Sequence, residues 1–284
     1  MAHYIIGDVH GCFLTLQAFL ETIAFDAGRD RLIFVGDLIG KGPSSYEVLA
    51  WVSEQGDAVE TLLGNHELHF LRRCFGLRKP KHKDTLSSLL EHPECRQLAD
   101  WLLQRPVLLR LERDVIVHAG LFPPWTPEQA SRWAAHIQQW LRRDPEKTLT
   151  PRTPPADAPW EKLAADPDPA DAYAAAMALR WVTHVRWVVG GYLPDWKRKK
   201  FKTKKAQDPS SRNQLAPWYE LWRPPGGNRV FFGHWAALGP GTFGPAVCLD
   251  GRCAYGGPLC AYRVEDDAWI EELNRDLPAS APRD

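Results

Sequence analysis

The sequence predicts an α/β fold in which two sheets pack face to face with helices on the outside. Three observations lead there. Short β-branched and aromatic runs recur, each followed closely by glycine. The segments between the early runs carry apolar residues at helical spacing, and from Val230 onward strand patterns follow one another with no helix pattern between them. An early α/β half and a late β half suit two packed sheets better than one doubly wound sheet.

Taken in order, Tyr4-Ile5-Ile6 is the first strand, and Phe13, Leu16, Phe19, Leu20 and Ile23 then lay one apolar stripe along a helix that can cover a sheet. Leu32-Ile33-Phe34-Val35 is the second strand. A helix follows Pro43, with Ser44 as N-cap and Glu47 three residues on, and Thr126-Pro127-Glu128-Gln129 opens a later one; both carry the capping-box spacing. Val115-Ile116-Val117 and Val230-Phe231-Phe232 read as buried strands, and the part from Val230 onward, through Ala246 to Leu249 and Leu259 to Val264, reads as antiparallel. Three stretches read as less ordered: an insertion rich in Pro, Ala and Asp near residues 150–172, a basic loop over 197–214, and a loose tail over 277–284. Residues 1–276 otherwise read as one domain without internal repeats.

A chain of 284 residues that is 44% hydrophobic can bury a substantial core. Thirty-five Lys and Arg balance thirty-five Asp and Glu, which excludes bulk electrostatic coating of nucleic acid or membrane. The six cysteines contain no C-x-x-C pair, so neither a zinc ribbon nor a disulfide framework is indicated, and a reducing compartment is expected. No secretory leader and no run near the roughly 18 apolar residues of a membrane span is seen. A soluble, cytoplasmic protein is the expectation, with a monomer favoured.

The chemistry sits after the strands. Ile6 is followed by Gly7-Asp8-Val9-His10-Gly11, Val35 by Gly36-Asp37, Leu62-Leu63 by Gly64-Asn65-His66-Glu67, Val117 by His118-Ala119-Gly120, and Phe232 by Gly233-His234. Ligands gather at the carboxyl ends of strands in open α/β sheets, where loops converge on one edge. One Gly-Asp or Gly-His after a strand is usually only a turn; five at successive strand ends form a set. Two carboxylates, one carboxamide and four imidazoles, with no thiolate, suit two divalent ions such as Mn²⁺, Fe²⁺, Co²⁺ or Zn²⁺. A two-metal site needs a shared carboxylate. Asp37 is the natural bridge, with Asp8 and His10 on one ion and Asn65, His118 and His234 on the other.

The motifs GDVHG, GDLIGKG, GNHE, HAG and GHW, in this order from Asp8 to His234, resemble those of the calcineurin-like metallophosphoesterases. GDVHGC near the N-terminus, Gly42-Pro43 after the second motif, GNHELHFL, HAGLFP, FGHWAALG and LDGRCAYGGPLCAYR most resemble the symmetrical diadenosine tetraphosphate hydrolases within that superfamily. The resemblance implies a four-layer sandwich of two mixed β-sheets flanked by helices. It also implies a dinuclear, often Mn²⁺ or Co²⁺ dependent hydrolase that cuts Ap4A into two nucleoside diphosphates, with nucleoside-tetraphosphate RNA 5′ caps as a further substrate. In that scheme the ions supply an activated water, and His66 protonates the departing phosphate oxygen. A Ser/Thr protein phosphatase using the same metals is the alternative. Such phosphatases usually carry Asp-Arg where this chain has Gly40-Lys41, and a small residue at Gly40 favours the tetraphosphate hydrolases. Lys41 departs from both, since an ammonium lacks the bidentate fork of a guanidinium. Lys41, Arg72 and Arg186 are the candidate phosphate contacts.

Two other patterns carry no function. Gly239 to Gly244 matches G-x-G-x-x-G but precedes a strand pattern, and the Walker A spacing fails before Gly40-Lys41. The basic run Lys197 to Lys205 reads either as a solvated loop or as a lid that attracts polyphosphate or RNA. Trp181, Trp187, Trp196, Trp218, Trp222 and Trp235 serve core packing, while one could stack on adenine at about 1 to 3 kcal/mol.

Overall fold

A computed structural model describes residues 2–79, 85–150, 159–190, 193–196 and 215–277. The basic run 197–205 and all but the first residue of the tail lie outside them. The chain begins β1 (His3–Ile6), α1 (Phe13–Thr22), β2 (Arg31–Phe34), α2 (Ser45–Glu54), β3 (Val59–Thr61) and α3 (Asn65–Cys74). After α4 (Ser87–Glu91) and α5 (Cys95–Leu102) comes the hairpin of β4 (Leu108–Leu111) and β5 (Asp114–Val117). Three helices follow, α6 (Pro127–Arg143), α7 (Pro145–Leu149) and α8 (Ala172–His184), and then β6 (Trp187–Val189), β7 (Leu193–Pro194), β8 (Leu215–Pro217) and α9 (Trp218–Leu221). The chain closes with β9 (Val230–Phe232), β10 (Gly241–Phe243), β11 (Ala246–Cys248), β12 (Leu259–Arg263) and β13 (Ala268–Glu272).

Among the described residues, two mixed five-stranded sheets run β13-β12-β1-β2-β3 and β10-β11-β9-β5-β4, with a small antiparallel sheet β7-β6-β8 beside them. Strand alternation makes the layers. Ile5, Ile33 and Tyr262 of the first sheet and Ile116, Phe231 and Val247 of the second form one apolar cluster, with the Phe231 and Tyr262 rings 5.1 Å apart. Their neighbours Tyr4, Ile6, Leu32, Phe34, Val115, Val117, Val230 and Phe232 point the other way. These join a larger cluster with helix residues such as Leu16, Phe19, Val48, Trp133, Ile137 and Val182. Helix, sheet, sheet, helix is the four-layer order that the family resemblance implied. No helix among the described residues is long and apolar enough to cross a membrane.

The structure corrects four expectations. The sheets do not divide the chain into early and late halves, because β12 returns to lie antiparallel beside β1. The Val230 strand is parallel, between β5 and β11; the long path from β5 through α6 to α9 gives it the crossover length that parallel pairing needs. Thr126 forms its capping box with Gln129, but Ser44 makes no side-chain cap bond. Within the described part of the expected insertion, Trp160 and Leu163 are buried anchors, and the indoles of Trp125 and Trp133 donate to Leu163 O (2.6 Å) and Ala165 O (3.1 Å).

α1 also takes its cap from far away. Cys12 offers no side-chain cap, and the carboxylate of Asp276 accepts from the N–H groups of Leu14 (3.2 Å) and Thr15 (2.9 Å) and from Thr15 Oγ1 (2.6 Å). A carboxylate at a helix N-terminus satisfies orphan donors and meets the positive end of the helix dipole.

Candidate metal centre

β1, β2 and β3 run parallel in one sheet, and β5, β9 and β11 run parallel in the other. Their carboxyl ends meet at one edge. Asp8, Asp37, Asn65, His118 and His234 each follow one of these strands, and His10 follows two residues after Asp8. Asp37 stands in the middle, with its Oδ2 3.7 Å from His10 Nε2 and its Oδ1 3.4 Å from His118 Nε2. Asp8 Oδ2 lies 3.6 Å from the same His10 nitrogen, and Asn65 Oδ1 lies 3.2 Å from His118 Nε2. Two triplets, His10–Asp37–His66 and Asp37–His118–His234, each offer ligand atoms within 4.8 Å of one another. Asp37 is common to both. The sequence grouping did not place His66 in such a triplet.

Backbone contacts hold the donors. His234 N–H donates to both Asp8 oxygens at 3.1 Å, and a Cβ built on Gly233 would run into Asp8 Oδ1, so only glycine allows that approach. His66 N–H donates to Asp37 Oδ1 (2.8 Å). Val35 O accepts from His118 Nδ1–H at 3.0 Å, which leaves the Nε2 lone pair towards Asp37. Glu67, fully buried, accepts the N–H groups of Asp37, Leu38 and Gly64, each at 2.8 Å, and so ties the second motif to the start of α3.

Electrostatics favour added cations. Burial, Asp250 and Asp37 push Asp8 well above the usual carboxylate range, and burial also raises Asp250. Burial lowers His10, His118 and His234, keeping their lone pairs free for coordination. Burial lowers His66 to about 4. Crowded carboxylates beside neutral imidazoles form a donor set that divalent ions complete, and its O and N chemistry matches the metals named above.

All of these groups except the fully buried His118 line a cleft of about 350 Å³. Of the expected phosphate contacts, Lys41 and Arg186 face it. Lys41 Nζ lies 3.3 Å from Tyr255 Oη and 4.7 Å from that ring's centre, and Arg186 Nη2 donates to His234 O (2.7 Å). Arg72 is placed elsewhere: it is buried, and its Nε donates to Leu149 O (2.6 Å), so its charge serves the joint between α3 and α7. Trp196 and Trp235 are the tryptophans that reach the cleft. Sequence reasoning missed Asp250, Arg180 and His184, which also line it. Asp250 had a signal, since Leu249-Asp250-Gly251 follows β11 as the other carboxylates follow theirs; Arg180 and His184 lie on α8, where no strand-end pattern points.

The profile of the calcineurin-like phosphoesterases matches residues 1–247. The chain is 36% identical over 275 residues to the symmetrical bis(5′-nucleosyl)-tetraphosphatase of Psychromonas ingrahamii, covering 94% of each chain. It is 34% identical over 290 residues to that of Vibrio cholerae, covering 98% of this chain and all of the other, and 37% identical to that of Paracidovorax citrulli, covering 93% and 92%. A crystal structure assigned provisionally as a diadenosine tetraphosphatase aligns with a TM-score of 0.62 at 24% identity, over 96% of this chain and 93% of that one. A serine/threonine phosphatase from Saccharomyces cerevisiae aligns at 0.52 and 14% identity, over 99% and 81%. At these identities the two structures speak for the fold alone. Motifs, fold and relatives agree, and the chain belongs to the calcineurin-like phosphoesterases, among relatives that are symmetrical bis(5′-nucleosyl)-tetraphosphatases.

Proposed function

We propose that this protein hydrolyses diadenosine tetraphosphate symmetrically to two ADP, using two divalent ions, Mn²⁺ first and Co²⁺, Fe or Zn²⁺ as substitutes. The observation that carries the reaction class is Asp37, whose two carboxylate oxygens face His10 on one side and His118 on the other. Asp8, His10 and Asp37 would hold one ion, and Asp37, Asn65, His118 and His234 the second. When bound, such ions polarise phosphoryl oxygens and bring the pKa of water near neutrality.

The remaining work falls to side chains. His66 gives a proton to the departing phosphate oxygen; the negative charge of an arriving polyphosphate opposes the burial that lowers its pKa. Lys41 and Arg186 attract and orient the phosphate chain. Three carboxylates and three cationic side chains line the cleft, so they nearly cancel, and bound divalent ions leave it net positive for a polyanion.

Gly40 favours this substrate over a phosphoprotein. A Cβ at this position would collide with His66 Nδ1, so the aspartate of the protein-phosphatase pattern does not fit this arrangement. Nucleoside-tetraphosphate caps on RNA share the phosphate chain and belong to the proposed range. Residues 1–276 act as one domain in this reading, with a monomer as the working unit. The free thiols of all six cysteines support a reducing, cytoplasmic compartment.

The test is product analysis with Mn²⁺ and Ap4A. Two ADP are expected, with activity lost on chelation and regained with metal. Asp37→Asn should lower kcat roughly a thousandfold or more, since it removes the shared anion. ATP plus AMP would refute the symmetry. No nucleotide product, with rapid phosphate release from a phosphopeptide, would replace this reading by the protein-phosphatase one.

A further inference from the structure

Three cationic side chains face the cleft, and two are already engaged. Lys41 meets Tyr255, and Arg186 donates to His234 O. Arg180 differs. It sits on α8, one turn before His184, with its guanidinium carbon 4.7 Å from the centre of the Trp196 ring. Among the described residues its guanidinium makes no hydrogen bond or ion pair, and its Nε is buried without an acceptor. Burial alone lowers its pKa, with no carboxylate acting to hold the charge, whereas Asp250, Asp37 and Asp8 all act on Arg186.

A half-buried guanidinium without an acceptor is costly to the free protein. Stacking on an indole fixes its plane and leaves the edge donors directed outward, the arrangement in which arginine recognises phosphate. Burial, then Arg78 and Arg180, lower the pKa of Arg72, so the Arg180 charge has a like-charged neighbour and no carboxylate partner behind this wall. A bound phosphate chain can supply the acceptors that the guanidinium lacks among the described residues.

We propose that Arg180, laid over Trp196 in the cleft wall, is a phosphate-binding residue that grips the polyphosphate chain beyond the reacting phosphorus. It thereby sets a preference for long phosphate chains over single phosphoesters. The inference rests on the tetraphosphate reading above for its substrate, and on the unsatisfied guanidinium for its chemistry.

Arg180→Met keeps an unbranched stem against Trp196 and removes the charge. With saturating Mn²⁺, three measurements are made on it and the parent protein: kcat and KM for Ap4A, inhibition of bis(p-nitrophenyl) phosphate hydrolysis by ADP, and the melting temperature without ligand. A rise of about tenfold or more in KM for Ap4A and in the inhibition constant of ADP is expected, with kcat changed by less than about threefold. The melting temperature should hold or rise, because an unsatisfied charge has gone. Arg180→Lys should recover part of the affinity. Unchanged KM and inhibition constant would overturn the proposal, as would a fall in melting temperature with equal losses on both substrates, which marks a structural residue. If the parent protein fails to cleave Ap4A while Arg180→Met still weakens ADP, the substrate reading falls and the phosphate subsite stands.

Discussion

His10, Asp37, Lys41 and His234 all have left-handed backbone, with φ of 54°, 52°, 68° and 66°. Non-glycine residues pay about 1 to 2 kcal/mol for this conformation. All four lie in the loops that follow β1, β2 and β9, and all four side chains line the cleft. His66 shows how closely these turns are fitted, since its Nδ1 packs where a side chain on residue 40 would lie and Gly40 itself has φ of 85°. His66→Ala is expected to lower kcat for Ap4A by about 10² to 10⁴, and much less for an ester whose leaving group needs no proton. Gly40→Asp should approach the same loss by displacing the imidazole. The double variant should then be no worse than either single one, whereas additive losses in single-turnover rates would show that the two residues act independently.

Thr126 and Ser44 share one sequence pattern and differ in outcome. Thr126 is extended (φ −71°, ψ 162°) and its hydroxyl reaches Gln129 N–H at 3.2 Å; Ser44 (φ −121°, ψ 50°) lies outside that region, and the neighbouring Ser45 Oγ instead accepts Gly40 N–H at 2.9 Å. Spacing thus located both helix starts but not the cap, which depends on the backbone that the second motif imposes. Thr126→Ala should cost about 1 kcal/mol and lower the melting temperature by about 2 to 4 °C, while Ser44→Ala should lie within about 0.5 kcal/mol of the parent. Calorimetry on the two variants checks the contrast. The region around Trp160 was misread for a related reason: its composition resembles a linker, and the indole donors that anchor it lie on α6 and the loop before it.

Across the whole molecule, Arg229 joins the sheets. Its guanidinium donates to Asp114 at 3.0 and 2.7 Å, to Asp267 at 2.6 Å and to Tyr262 Oη at 3.3 Å, linking the start of β5 to β12 and the turn after it. Arg229→Ala leaves the buried Asp114 unpaired and should cost about 3 kcal/mol, read as a lower urea midpoint at unchanged slope. What the sequence made legible follows from range. Strand ends announce themselves locally, through a β-rich run, a glycine and a donor, so Asp8, Asp37, His118 and His234 were legible as a set, although each alone reads as a turn. Strand order, the clasp at Arg229 and the wall at Arg180 are set by partners many residues away, and no local pattern records them.

The cap on α1 carries the same lesson into biosynthesis. Asp276, which completes the first turn of that helix, lies 261 residues beyond Thr15, and β12 borders β1 from almost as far along the chain. While the protein is still on the ribosome, its opening strand has one bare edge and its opening helix has loose ends. Until residues 259–276 have been made, the edge of β1 that β12 covers stays open to non-native pairing.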